Sequence, residues 1–205
     1  MSEIRFGLDT FGDIQIGDSG KPVSAGETIR NLVEQAVLAD SIGINNINIG
    51  EHHRDDFAVS APDTVLAGIA TRTKSIGLGT GVTVLSSDDP VRVYQRFATL
   101  DALSNGRAEI TAGRGSFIES FPLFGYDLSQ YEILFEEKLE LLVELVKEKA
   151  VTWSWRVAAN RVAWRPGLER SQPFRSGAEI PPRLRFASTF PCGLLSENLA
   201  TLTRD

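Results

Sequence analysis

The sequence predicts an α/β fold built on parallel strands, and three observations carry that expectation. Four strand-then-helix units follow one another within the first 150 residues, a spacing that joins parallel strands through crossover helices. The helix starts carry recognisable signals, Pro62 and Pro90 at two of them and the pairs Ser24/Glu27 and Ser129/Glu132 at the others. Every chemically suggestive cluster falls just after a predicted strand, at its carboxyl end. That end is where a (β/α) barrel or an open parallel sheet builds its site.

Taken in order, Ile4 to Leu8 reads as a short apolar strand leading to Asp9-Thr10-Phe11-Gly12. The Gly- and Asp-rich stretch from Asp13 to Pro22 reads as an exposed loop. Behind Ser24, Ile29, Leu32, Val33, Ala36 and Val37 recur at helical spacing, and Gly43 is placed to end the helix. Ile44 to Gly50 is the second strand, with Glu51-His52-His53-Arg54-Asp55-Asp56 directly after it. Pro62 opens a helix carrying Val65, Leu66, Ile69 and Ala70, with Arg72 and Lys74 near its end.

Residues 76–84 are the third strand, followed by Ser86 to Asp89 and a helix from Pro90 that stops near Asn105-Gly106. Arg107 to Ala112 is the fourth strand, followed by Gly113-Arg114-Gly115-Ser116. A long loop to Leu128 then bears Phe117, Phe121, Phe124 and Tyr126. The last helix, behind Ser129, carries Leu134, Phe135, Leu139, Leu142, Val143 and Val146.

In the third strand Gly77, Gly79 and Gly81 share one face, because strand side chains alternate with a period of two. Such a face is either packed tightly against its neighbours or left open for a flat ligand. Gly113-Arg114-Gly115 has the amides and guanidinium of a small anion nest. His52 and His53 are the only histidines. They permit acid–base chemistry near neutral pH, a structural ion pair, or a metal site made with Asp55. No serine or cysteine arrangement resembles a nucleophile with its base.

A net charge of -6 argues against a nucleic-acid surface. Cys192 is the single cysteine, which fits a reducing compartment. No segment resembles a signal peptide or a membrane span. The expectation is a cytoplasmic protein with small-molecule rather than nucleic-acid or membrane partners.

The blocks GEHHRDDFAVSAP (50–62), IGLGTGVTVLSSDDPVR (76–92), FATLDALSNGRAEI (97–110) and GRGSFIESFPLFGYDL (113–128) resemble the luciferase-like flavin-dependent monooxygenases. The resemblance runs over residues 4–154. It implies a (β/α)8 TIM barrel, of which residues 1–154 would be the N-terminal half. It implies FMN, or in some branches F420, with a flavin reductase, molecular oxygen and a small apolar substrate as partners. Separately, the apolar helix faces that a half-barrel leaves uncovered favour a homodimer. By position it makes His52 the catalytic histidine, with Glu51 orienting it. Thr80, Gly81 and Val82 would form the flavin bed, with a cis peptide at Gly81-Val82. Arg114 would contact the cofactor, and Gly113 matches the site of the luciferases' reactive cysteine, absent here.

Beyond residue 154 the pattern stops. Residues 155–205 hold all eight arginines of the last 55 positions, no lysine and five of the nine prolines. They read as an irregular, possibly out-of-frame tail with no further barrel strands. A second expectation follows, of a truncated, non-catalytic half-barrel that self-associates through its free sheet edges. A barrel metal hydrolase using His52, His53 and Asp55 is the third.

Overall fold

The structure, a computed structural model, describes residues 4–148, 151–156, 183–186 and 200–201. The strands are β1 (Gly7–Thr10), β2 (Asn46–Ile49), β3 (Gly77–Thr80), β4 (Thr83–Val84), β5 (Ala108–Gly113), β6 (Arg183–Phe186) and β7 (Ala200–Thr201). The helices are α1 (Ala25–Ser41), α2 (Pro62–Ala70), α3 (Pro90–Ser104), α4 (Ser120–Phe124) and α5 (Tyr131–Val146). One sheet runs in the order β1-β2-β3-β5-β6-β7, with β4 also paired to β5. All pairings are parallel except β6 with β7.

Register separates the two faces. Leu8, Ile47, Leu78 and Ala108 stand side by side across the first four positions, and the next row is Asp9, Asn48, Gly79 and Glu109. Ile47, Leu78 and Ala108 join the buried cluster with Leu32, Ala36, Leu66, Ile69, Phe97 and Leu142 of the helices. The opposite row is polar or glycine. It is the face that a barrel turns inward.

The expected caps hold at three helices. Ser24 Oγ accepts from Glu27 N at 3.2 Å, Pro62 stands in the first turn of α2, and Asp89 accepts from the amides of Val91 and Arg92 before Pro90. The expected cap at Ser129 is corrected. Asp127 accepts from Ser129 N at 2.8 Å and opens a short 3-10 turn, so α5 starts at Tyr131 without a side-chain cap. An aspartate acceptor closer to the turn takes the amide first.

Two charged side chains lock the amino ends of the strands. Asp40, near the end of α1, accepts from the amides of Lys74, Ser75 and Ile76 at 2.8, 2.9 and 2.7 Å. Burial raises its pKa, but the three amides outweigh that and hold it below the ordinary carboxylate value. Arg107 donates to the carbonyls of Ala70, Thr73, Ile76 and Ser104 and to Thr73 Oγ1. It therefore ties the ends of α2 and α3 to the entry of β3.

The expectation of a wholly irregular tail is corrected in part. β6 lies parallel beside β5, with Leu184 opposite Ile110 and Arg185 opposite Thr111. Arg183-Leu-Arg-Phe186 alternates with a strand's period, but high arginine content hid that signal. The rest of the tail lies outside the described residues.

Candidate active site

The carboxyl ends of β1, β2, β3 and β5 converge on one cavity of about 50 Å³, lined by Phe11, Glu51, His52, His53, Gly81, Val82, Val84, Gly115, Ser116, Phe117, Glu119 and Ser120. The segment carrying the histidines is fixed by backbone bonds from His52 N to Val59 O and from Ala58 N to Gly12 O. That tie holds the loop after β2 against the loop after β1.

His52 sits in a cage of rings. Phe57 stacks on it at 4.1 Å, while Phe11 and Phe117 meet it edge-on at 5.5 and 5.1 Å. Its Nε2 is buried and bonds no protein atom. Burial pulls the imidazole below its ordinary pKa, which favours its neutral form at pH 7. A neutral imidazole can accept a proton at one nitrogen and donate at the other.

Glu51 does not orient His52, contrary to the expectation. Its Oε1 meets His53 Nε2 at 2.9 Å, and its Oε2 accepts from Val84 N at 3.3 Å. Alternation along the chain explains the switch, since residues 51 and 53 point to one side and 52 to the other. Burial raises the Glu51 pKa above the ordinary value despite these bonds. Glu51 therefore braces β4 against the loop after β2.

The glycine face divides. A Cβ on Gly79 would lie 2.3 Å from Asn48 Oδ1, and one on Gly77 would meet Asn45 O at 3.3 Å. Asn48 in turn donates to Asp9 Oδ1 at 2.6 Å. At those two positions the glycines make room for neighbouring atoms. At Gly81 an added Cβ would make only ordinary van der Waals contact, with Asn48 Cβ at 3.4 Å and Asp9 Oδ1 at 3.8 Å, so this position is not crowded as the other two are. The Gly81-Val82 bond is cis, as expected.

The remaining expected cofactor residues do not line the cavity. Thr80 is buried, and its Oγ1 bonds Thr83 Oγ1 at 2.9 Å. Gly113 lies against Val82, whose Cγ2 is 2.6 Å from where a Cβ would be. Arg114 pairs with Glu132 at 2.7 Å and lies over the Phe135 ring at 5.0 Å, toward α5. Among the described residues no group of three His, Cys, Asp or Glu is placed to hold a metal ion. Sequence reasoning missed Phe57 and Ser120. Phe57 is masked by its acidic neighbours, and nothing in its surroundings singles Ser120 out before α4 is placed.

The profile of the luciferase-like monooxygenase family matches residues 5–202. The chain belongs to that family. The match extends beyond residue 154, where the recognisable motifs end. An N-acetyl-S-alkylcysteine monooxygenase of Bacillus subtilis is 30% identical over 63% of the chain and 40% of its own length. The FMN-bound oxygenating constituent of the Pseudomonas putida 3,6-diketocamphane monooxygenase superposes with a TM-score of 0.71 at 20% identity, over 90% of the chain and 51% of its own. An F420-dependent secondary alcohol dehydrogenase superposes with a TM-score of 0.66 at 17% identity, over 89% and 52%. The chain thus spans about half or less of the length of these relatives. The structural likenesses establish a partial TIM barrel. Among the described residues no helix is long and apolar enough to cross a membrane.

Proposed function

We propose that the chain carries the flavin-side half of a two-component monooxygenase site. The observation that carries this reading is the buried, unbonded Nε2 of His52, a residue that lines the same cavity as the uncrowded Gly81. An orphaned polar atom in a cavity otherwise walled by rings is what a bound group would satisfy.

The residues present fit a flat cofactor. Gly81 and Val82 would form its bed, His52 would face it, and Phe11 and Phe117 would exclude water beside it. FMN, when reduced, supplies the electrons that activate molecular oxygen for transfer to an organic molecule. The chain's own contribution is a neutral His52 that holds or moves a proton at Nε2. Glu51 and His53 brace the Gly81–Val84 turn. Arg114, Gly113 and Thr80 support the rim from behind.

FMN is favoured over F420 by the family match and by the FMN in the diketocamphane relative. That relative is the oxygenating constituent of its enzyme, which supports a separate flavin reductase as partner here. Residues 1–154 would act as a unit in a cytoplasmic homodimer. The test is retention of cofactor by the purified 205-residue chain, with FMN and F420 offered separately. Saturation at one FMN per chain is expected, with F420 weaker. Retention of neither would overturn the reading.

A further inference from the structure

Ser120 stands at the start of α4 and is 3% exposed, yet its Oγ bonds no protein atom. It lines the same cavity as His52, whose Nε2 is equally buried and unbonded. A buried hydroxyl without a partner is costly, and buried polar atoms in folded proteins are rarely left so. Two such atoms, on two residues that line one cavity, point to a shared ligand. The space of about 50 Å³ is several times the minimum of about 10–15 Å³ that one water needs.

The surroundings restrict what that ligand is. Phe11, Phe117, Val82 and Val84 supply apolar wall, His53 is bonded to Glu51, and Ser116 is exposed at the rim. The charged groups on the lining are the carboxyls of Glu51 and Glu119, and among the described residues none lining it is Lys or Arg. The nearest guanidiniums are engaged elsewhere. Arg54 pairs with Asp56 at 2.9 Å and lies over the Phe117 ring at 4.9 Å, and Arg114 pairs with Glu132. An anionic head group would meet carboxylates and no counter-charge, at a cost burial makes large. A neutral oxygen flanked by apolar carbon meets two unfilled hydrogen-bonding atoms and aromatic walls.

We propose that Ser120 Oγ and His52 Nε2 form a polar subsite for the single uncharged oxygen of a small apolar ketone or alcohol, with Ser120 the specificity-determining residue. This deepens the oxygenase reading by assigning its substrate class. Ser120 Oγ–H donates to the carbonyl oxygen, and the second lone pair of that oxygen accepts from His52 in the neutral tautomer that carries its hydrogen on Nε2. Losing Ser120 removes one directional bond and leaves the apolar walls intact.

The test uses cyclohexanone and its near-isostere methylenecyclohexane, which lacks the oxygen. With only two histidines in the chain, [15N]histidine labelling reports two imidazoles, and His53, whose Nε2 is bonded to Glu51, is the comparison on the same cavity. Cyclohexanone should move the His52 Nε2 resonance saturably and by more than that of His53, and methylenecyclohexane should not move His52 Nε2. Ser120→Ala should weaken cyclohexanone about tenfold, the order expected for one lost hydrogen bond. Ser120→Thr, which keeps the hydroxyl, should restore most of it. Equal responses to the ketone and the alkene, a silent His52, or an unchanged affinity in Ser120→Ala would each overturn the subsite. A wall water bridging the two atoms would give the first of these. Because the titration is run without flavin, a chain that binds FMN but not the ketone refutes only the subsite. One that binds the ketone but not FMN refutes only the flavin reading.

Discussion

The two ends of the strands treat their polar atoms in opposite ways. At the amino end, Asp40 takes three backbone amides and Arg107 satisfies four carbonyls and a hydroxyl. At the carboxyl end, His52 Nε2 and Ser120 Oγ are buried with no protein partner. The first arrangement closes the structure on itself. The second leaves bonding capacity for something that is not protein. On the proposed reading, stability and function sit at opposite ends of the same strands, as barrel enzymes generally divide them.

Breaking the amino end should cost the most. Arg107→Met strands four carbonyls at the junction of α2, α3 and β3. It should lower unfolding free energy by about 3 kcal/mol, read from urea denaturation. Asp40→Asn keeps the volume and loses the charge. Because Asp40 is partly solvated, a loss of about 1 kcal/mol is expected. Its folded pKa lies below the ordinary 3.8. The stabilisation is therefore present above pH 3.8 and lost as pH falls through the folded value. In Asp40→Asn that acid limb should flatten.

The carboxyl end sharpens the comparison through pH. The folded pKa of His52 lies below its ordinary 6.5, so the unfolded chain takes up the proton first as pH falls. Stability should be level above pH 6.5 and decline below it toward the folded value. His52→Phe should remove that part of the decline, measured as the difference between the denaturation midpoints of the two proteins at pH 7.5 and 5.5. A wild-type profile identical to the variant's would count against a neutral, buried His52. The smallest effect is expected at Arg114. Its ion pair with the largely exposed Glu132 should be worth well under about 1 kcal/mol. Arg114→Ala should leave FMN retention unchanged, whereas a marked loss would return Arg114 to the cofactor site.

Much of the fold was legible because it rests on period and punctuation. Ile29, Leu32 and Ala36 recur at helical spacing, and Pro62 and Pro90 mark true first turns. Asn105 and Gly106 both adopt left-handed conformations where α3 ends. The rim was legible as a place because Glu51–Asp56 and Gly113–Ser116 each follow a strand. Which residues face the cavity was not. The role of Gly79 depends on Asn48, 31 positions earlier, and that of Gly113 on Val82. No local pattern reports such a contact. Glu51 was assigned to the wrong histidine for a related reason, since neighbouring residues on an extended segment face opposite ways. β6 was missed because its alternating partner to the apolar positions is arginine, a residue that composition reads as surface.

Gly81, expected in the flavin bed, and Gly113, expected at the position of the luciferases' reactive cysteine, differ in what surrounds them. A Cβ on Gly113 would collide with Val82, while one on Gly81 would make only ordinary van der Waals contacts. The direct test is an FMN fluorescence titration of Gly81→Ala and Gly113→Ala, each paired with its thermal midpoint. Gly81→Ala should keep its midpoint within about 2–3 °C and lose about tenfold in FMN affinity. Gly113→Ala should lower the midpoint by about 5 °C or more as its methyl collides with Val82, with FMN weakened no more than the lost stability accounts for. Unchanged FMN affinity in Gly81→Ala, with its midpoint intact, would contradict the placement of the flavin face at Gly81.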